Sequence, residues 1–220
     1  MLSGDFISHE IPALKLSDSI KQVLIWMDEH HVLHLPVFAA GLYQGVISES
    51  DLLSHQNTED DLSTVQDRFL KVSVSNDKSI YDVIKTLDDY KLSLVPVINP
   101  EGSFKGTISY KEVMSAMVRM LNLNSAGGVF VLEMNYVDYS MAEISRLIES
   151  NDARVLSSHI SFHHNSQMVD VVIKVNTDSI GSILQTLERY DYVIKAKFQD
   201  TTAEDPENDR YDALMRYLNT

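Results

Sequence analysis

Two seven-residue stretches carry the same reactive types at the same spacing: Gly45-Val46-Ile47-Ser48-Glu49-Ser50-Asp51 and Gly106-Thr107-Ile108-Ser109-Tyr110-Lys111-Glu112. Each glycine lets another backbone come close, and each short apolar run after it suits a strand. Each serine sits where a helix would begin. A helix start offers unpaired N–H groups and a partial positive charge of roughly half a unit, which suits a phosphate or a hydroxyl. There the serine can donate to a phosphate, and a carboxylate one turn further in can accept from the two hydroxyls of a ribose. The same spacing also writes a capping box, in which the serine caps the helix and the acid bonds back to the serine N–H. Glutamate is the usual acid of that box, so Glu112 reads as structural. Aspartate is the less usual one, so Asp51 reads as functional.

The other candidates for chemistry are poorer. His30 and His31 are neighbours on a helix and face apart, so with His34 they make no metal site. They read as solvent-facing or capping side chains. His159 and His163 share an outward strand face but lie too far apart to chelate without partners. Both His30-His31 and His163-His164 have the titration range of an interface switch. Met114, Met117 and Met120 recur every three residues and read as packing at a repeat interface. No Ser-His-Asp order, phosphate-cradling glycine loop or paired-carboxylate site appears, so a non-catalytic protein is expected.

The two motifs belong to a longer repeat. A shift of sixty sets Ile20 on Ile80, Val23 on Val83, Met27 on Leu87, Pro36 on Pro96 and Val37 on Val97. One extra residue in the second loop then brings Gly45 to Gly106 and Ser48 to Ser109. Each copy predicts an amphipathic helix starting near Ser19 or Ser79 and a buried strand over 35–38 or 95–98. A turn at Gly41 or Pro100-Glu101-Gly102, a strand over 45–48 or 106–109 and a helix over 48–55 or 109–121 follow. Residues 55–67 are polar and acidic and read as a surface connection. Two helix-strand-strand-helix units can pair about a pseudo-twofold axis.

After a linker over 122–127 the pattern changes. Phe130, Leu132 and Met134 alternate inward, and Met141, Ile144, Leu147 and Ile148 make a helical stripe. Leu156, Ile160 and Phe162, then Val169, Val171, Ile173 and Val175, alternate again. Ile180, Ile183, Leu184 and Leu187 form a second stripe, and Ile194, Ala196 and Phe198 close a last strand against Lys195 and Lys197. This βαββαβ order over 128–199 predicts a ferredoxin-like plait. Residues 200–220 read as an acidic tail with a short helix bearing Tyr211, Leu214, Met215 and Leu218, too short to stand alone and able to dock on a protein partner.

A length of 220 residues suits two domains, and 44% hydrophobic with 23% charged residues is ordinary for a soluble globular protein. The formal net charge of -14 argues against nucleic-acid and anionic-membrane binding. With no cysteine, disulfides and thiolate sites are ruled out, which fits a reducing cytoplasm. The first residues carry no signal pattern and no apolar run nears the ~20 residues of a membrane span, so a cytoplasmic protein is expected.

The doubled Leu-Pro-Val or Val-Pro-Val step followed by the Gly-x-Ile-Ser-x-x-acid motif resembles a tandem pair of CBS domains, the Bateman module. The resemblance covers residues ~7–121 and places the domain pair over 1–121, with repeats over about 7–55 and 67–121. It implies an α+β fold, two inter-repeat clefts and a regulatory protein that binds an adenosine-containing ligand such as AMP, ADP, ATP or S-adenosylmethionine, with no cofactor required. The residues it implicates are Gly45, Ser48 and Asp51, then Gly106, Ser109 and Glu112, where the second copy departs from the family's aspartate. Many members place a basic residue where this chain has Leu33, just before His34, and Ser93, so a nucleoside or monophosphate fits better than a polyphosphate. The plait resembles an ACT domain without that family's Pro-Gly near Asp138. The combination resembles bacterial CBS proteins of acetoin-utilisation type, and a homodimer is expected of both domain types. The alternative is a structural dimerisation or adaptor module with unoccupied clefts.

Overall fold

The structure, a computed structural model, describes residues 1–199, so the amphipathic tail segment lies outside the described residues. The first repeat runs β1 (Leu14–Lys15), α1 (Ile20–Glu29), β2 (His34–Ala39), β3 (Leu42–Ser48) and α2 (Glu49–Leu53). The second runs α3 (Ile80–Asp89), β4 (Leu94–Ile98), β5 (Phe104–Ser109) and α4 (Tyr110–Met120). Ser19 and Ser79 start the paired helices by accepting the N–H of Gln22 and Asp82. Both helices stop the same way, with His31 and Lys91 each at φ 53. Their stripes bury Ile20, Val23 and Met27 in one copy and Ile80, Val83 and Leu87 in the other.

The hairpins pair alike: Pro36 faces Val46 and Pro96 faces Thr107, with register breaks after Val37 and Val97. What joins the repeats is a crossed pairing of their leading segments. Leu70, which leads into the second repeat, exchanges two 2.9 Å backbone hydrogen bonds with Val46 of the first. Ser8, at the start of the first repeat, exchanges bonds of 2.8 and 3.0 Å with Thr107 of the second. The motif glycines sit under these crossings. A β-carbon on Gly45 (φ +144) would meet the Leu70 carbonyl oxygen at 2.9 Å, and one on Gly106 (φ +131) would meet that of Ser8 at 2.5 Å.

Two expectations are corrected in this unit. Residues 55–67 are more than a surface connection, because Leu62 and Val65 lie three apart on a 3-10 turn and join the core formed by Ile20, Val23, Leu35, Ile47 and Leu94. The surrounding acids hid that stripe. Met114 does not pack between repeats but is 61% exposed. The small side chain of Ala116, with Val113, fills the buried face of α4 instead.

The chain divides into two units, Met1–Met117 and a second beginning at Val118. The second contains β6 (Val129–Asn135), α5 (Met141–Glu149), β7 (Val155–Phe162), β8 (Met168–Val175), α6 (Gly181–Arg189) and β9 (Val193–Phe198). Its sheet order is β7-β8-β6-β9, antiparallel throughout, which is the ferredoxin-like plait. Phe130 and Leu132, Ile144 and Leu147, Val171 and Ile173, and Ile183 and Leu187 share its core. Phe162 and Phe198, expected inward, are 62% and 61% exposed. Phe162 closes an edge strand, where alternation fixes the facing of a side chain but not its cover. A register break after Val131 sets Phe198 opposite Val129 and Lys197 opposite buried Phe130, turning Phe198 away from the core. Phe162 instead lies against Tyr136, with ring centroids 5.1 Å apart and the rings tilted by 54°.

The crossings set a stability test. Gly106→Ala forces a side chain against the Ser8 backbone at a φ that L-residues avoid, and is expected to destabilise by about 2 kcal/mol or more. Gly102→Ala, in a turn with open space around it, is expected to lose about 1 kcal/mol or less. Urea midpoints of the two variants provide the comparison, and equal losses would contradict the packing role of Gly106.

Candidate ligand clefts of the first unit

The strand β3 delivers Ser48 to the start of α2, and β5 delivers Ser109 to the start of α4. The two acids then behave differently. Glu112 Oε2 accepts from the Ser109 N–H at 2.9 Å and from its hydroxyl at 2.5 Å, so this acid folds back onto its own serine. Ser48 Oγ accepts the Asp51 N–H at 3.1 Å and donates to Asp51 Oδ2 at 2.5 Å. Among the described residues no backbone N–H is bonded to the Asp51 carboxylate.

The helix expected over 48–55 is shorter than predicted, ending at Leu53, so the helix dipole at Ser48 is weak. Arg68 steadies it from behind, donating from Nη1 to the Asp51 carbonyl at 2.6 Å and to Ser54 Oγ at 2.7 Å. This arginine acts on the short helix rather than on anything bound in front of it.

Two clefts open beside these acids. One, of about 370 Å³, is lined by Leu33, His34, Val46, Ser48, Glu49, Ser50, Asp51, Leu70, Tyr90 and Lys91. The other, of about 300 Å³, is lined by Ser8, Glu10, Ile11, His30, His31, Val32, Ser93, Ser109, Tyr110, Lys111 and Glu112. Each cleft therefore joins the serine-acid motif of one repeat to the helix end of the other. Of the residues implicated by sequence, Ser48, Asp51, Leu33 and His34 come together in the first cleft, and Ser93, Ser109 and Glu112 in the second. Gly45 and Gly106 line neither cleft and lie under the crossings.

Sequence reasoning passed over Tyr90 and Lys91, and read His30 and His31 as solvent or cap residues. The signal was present: the sixty-residue shift lays His30-His31 on Tyr90-Lys91. What no shift reveals is that each pair reaches the motif of the opposite repeat.

Between the clefts lies a cross-repeat network. The Ser93 N–H donates to His34 Nδ1 at 3.1 Å, and Ser93 Oγ accepts the Leu33 N–H at 2.9 Å while lying 3.2 Å from Nδ1. Because Nδ1 is an acceptor, the imidazole proton sits on Nε2. Burial pushes the His34 pKa below its usual value, opposed by the negative charge of Asp51. A depressed histidine pKa means that the unfolded chain takes up the proton first as pH falls. Stability that is whole above the unfolded value near 6.5 is therefore lost progressively below it. His34→Asn, which keeps an acceptor for Ser93, is expected to remove this part of the loss between about pH 7 and pH 5. Chemical denaturation of both proteins across that range checks the sign, and parallel curves would contradict it.

A protein-family comparison gives two matches to the CBS domain, over residues 3–57 and 70–119. Among curated proteins, cystathionine beta-synthase of Saccharomyces cerevisiae is 27% identical over 115 residues, covering 50% of this chain and 22% of that protein. The chain thus spans under a quarter of that relative's length. Among solved structures, a CBS domain pair/ACT domain protein from Thermotoga maritima is 18% identical, covering 55% of this chain and 99% of that one with a TM-score of 0.49. An acetoin utilization protein from Vibrio cholerae is 17% identical, covering 56% and 95% with a TM-score of 0.48. CBSX2, solved in complex with AMP, is 23% identical, covering 54% and 96% with a TM-score of 0.45. With one family match on each repeat, and the two repeats laced as described, residues 3–57 and 70–119 are a tandem pair of CBS domains.

Proposed function

We propose that the chain is a non-catalytic regulatory sensor whose CBS pair takes an adenosine-containing ligand, and that the Asp51 cleft binds it more tightly than the Glu112 cleft. The observation that carries this reading is the pair of equivalent clefts with unequal acids. Glu112 is held by the N–H and hydroxyl of its own serine, whereas Asp51 is held by a hydroxyl alone. The tandem CBS domains support an adenosyl ligand. In the first cleft Asp51 accepts from the ribose hydroxyls, Ser48 is nearest any phosphate, and Leu33, Val46, Leu70 and Tyr90 supply apolar surface for the base.

Charge narrows the ligand. The first cleft sets Glu49 and Asp51 against Lys91, whose ammonium is already 2.6 Å from Asp88. The second sets Glu10 and Glu112 against Lys111, which lies 3.3 Å from Glu10. Neither Leu33 nor Ser93 adds a cation. A polyphosphate would have to be desolvated beside unpaired carboxylates, so adenosine, AMP or S-adenosylmethionine is favoured over ADP and ATP. Binding then acts as a population shift, stabilising one arrangement of the pair, and the ACT-like second unit or a protein partner reads it out. Self-association as a homodimer would cover the outer strands β7 and β9 of the plait.

Calorimetric titration with adenosine, AMP, ADP, ATP and S-adenosylmethionine tests the reading. Asp51→Ala is expected to weaken the preferred ligand by about 10-fold or more, the loss of a charge-assisted hydrogen bond. Glu112→Ala is expected to weaken it less. The absence of binding by all five to the folded protein would sink the sensor reading, and equal losses in the two variants would refute the preference for the Asp51 cleft.

A further inference from the structure

The second unit buries one face of its sheet and leaves a polar constellation on the other. Glu133 lies between buried Leu132 and Met134, and Asp170 between buried Val169 and Val171, so both acids point away from the core. Register places Glu133 directly opposite Asp170, and Asp170 opposite Ser161, two residues before His163. Lys195 arrives from β9. Three strands and the end of a fourth thus bring two carboxylates, an imidazole and an ammonium to one spot.

Their separations converge on a point. The His163 Nε2 atom is 2.8 Å from Asp170 Oδ1 and 3.9 Å from Glu133 Oε1. Ligand atoms of these three residues all lie within 4.8 Å of one another. The Lys195 ammonium touches all three, at 2.7 Å from Asp170 Oδ2, 3.2 Å from Glu133 Oε1 and 3.3 Å from His163 Nε2. The spot therefore already accommodates a cation.

The ammonium engages the two carboxylates and only approaches Nε2. A divalent ion at the same point would take the lone pair of Nε2 and one oxygen from each acid together. Ligand distances of about 2.0–2.2 Å would set the donors roughly 3.4 Å apart in a tetrahedral site, so small side-chain shifts suffice. Lys195 is half-exposed on an edge strand, and its long stem can carry the ammonium out to water.

We propose that Glu133, His163 and Asp170 form a divalent transition-metal site, with Lys195 as the resident cation that metal displaces. One imidazole with two carboxylates suits zinc, cobalt or nickel better than magnesium or calcium. The proposal stands apart from the nucleotide reading of the first unit.

The test is calorimetric titration of zinc and cobalt(II) chloride into the untagged chain, with the cobalt absorption spectrum reporting coordination. The expected result is one saturable site. His163→Ala and Asp170→Asn are expected to weaken it by about tenfold or more. Lys195→Met is expected to tighten it on the order of tenfold, since a competing charge at contact distance is gone. Circular dichroism confirms that each variant is folded. No saturable binding by the parent chain, binding that neither His163→Ala nor Asp170→Asn alters, or weaker binding by Lys195→Met would each overturn the assignment.

Discussion

The crossed pairing of the leading segments is the constraint on which the first unit depends. A two-stranded sheet such as β4-β5 has too little apolar cover to persist in water by itself. Here Ser8 extends the edge of β5 from the start of the other repeat, and Leu70 does the same for β3. Neither repeat closes its hydrogen-bond ladder without the segment that leads into its neighbour. The duplication is therefore a structural requirement, and the clefts are its by-product. Wherever a leading segment crosses a motif strand, the following serine and acid are left facing the helix end of the opposite repeat.

Much of this was legible in the residues, and the limits have physical causes. Helix stripes and strand alternation located the cores of both units, since periods of 3.6 and 2 are enforced wherever one face is buried. Val169, Val171, Ile173 and Val175 all lie fully buried as their alternation requires. Alternation failed at Phe162 because facing is a local property and cover is not, and at Phe198 because a register break between β6 and β9 reverses the facing. The motif serines and acids were legible because they are contiguous. Tyr90, Lys91, His30 and His31 were not, because their place in a cleft depends on crossing between repeats. His163 was set aside for lack of partners, which strand register alone supplies from β6 and β8.

A second contact between the repeats explains why His34 is half-buried at the first cleft without a counter-charge in direct contact. Ser93, from the second repeat, satisfies Nδ1 with a backbone N–H that any residue other than proline could offer. Its hydroxyl meets the orphan N–H of Leu33 in the first repeat. The serine hydroxyl thus satisfies a group, the Leu33 N–H, that a longer, basic side chain would leave to water. The absence of a cation at Ser93 is therefore part of how the repeats are joined.

The two clefts are equivalent in the repeat, and the use of one carboxylate separates them. The glutamate that ends the second motif brings one oxygen back to its serine N–H at 2.9 Å. An aspartate can do the same, as Asp82 does to the Ser79 N–H at 3.0 Å, but Asp51 bonds only the serine hydroxyl. The longer acid thereby satisfies an orphan donor at the start of the eleven-residue helix α4, where the gain in capping is retained along the whole helix. The shorter acid heads the five-residue α2, which has little helix to stabilise and is tied instead by Arg68 at its far side. Capping draws on the motif carboxylate, and the repeat with a second means of holding its helix is the one that leaves its acid less committed.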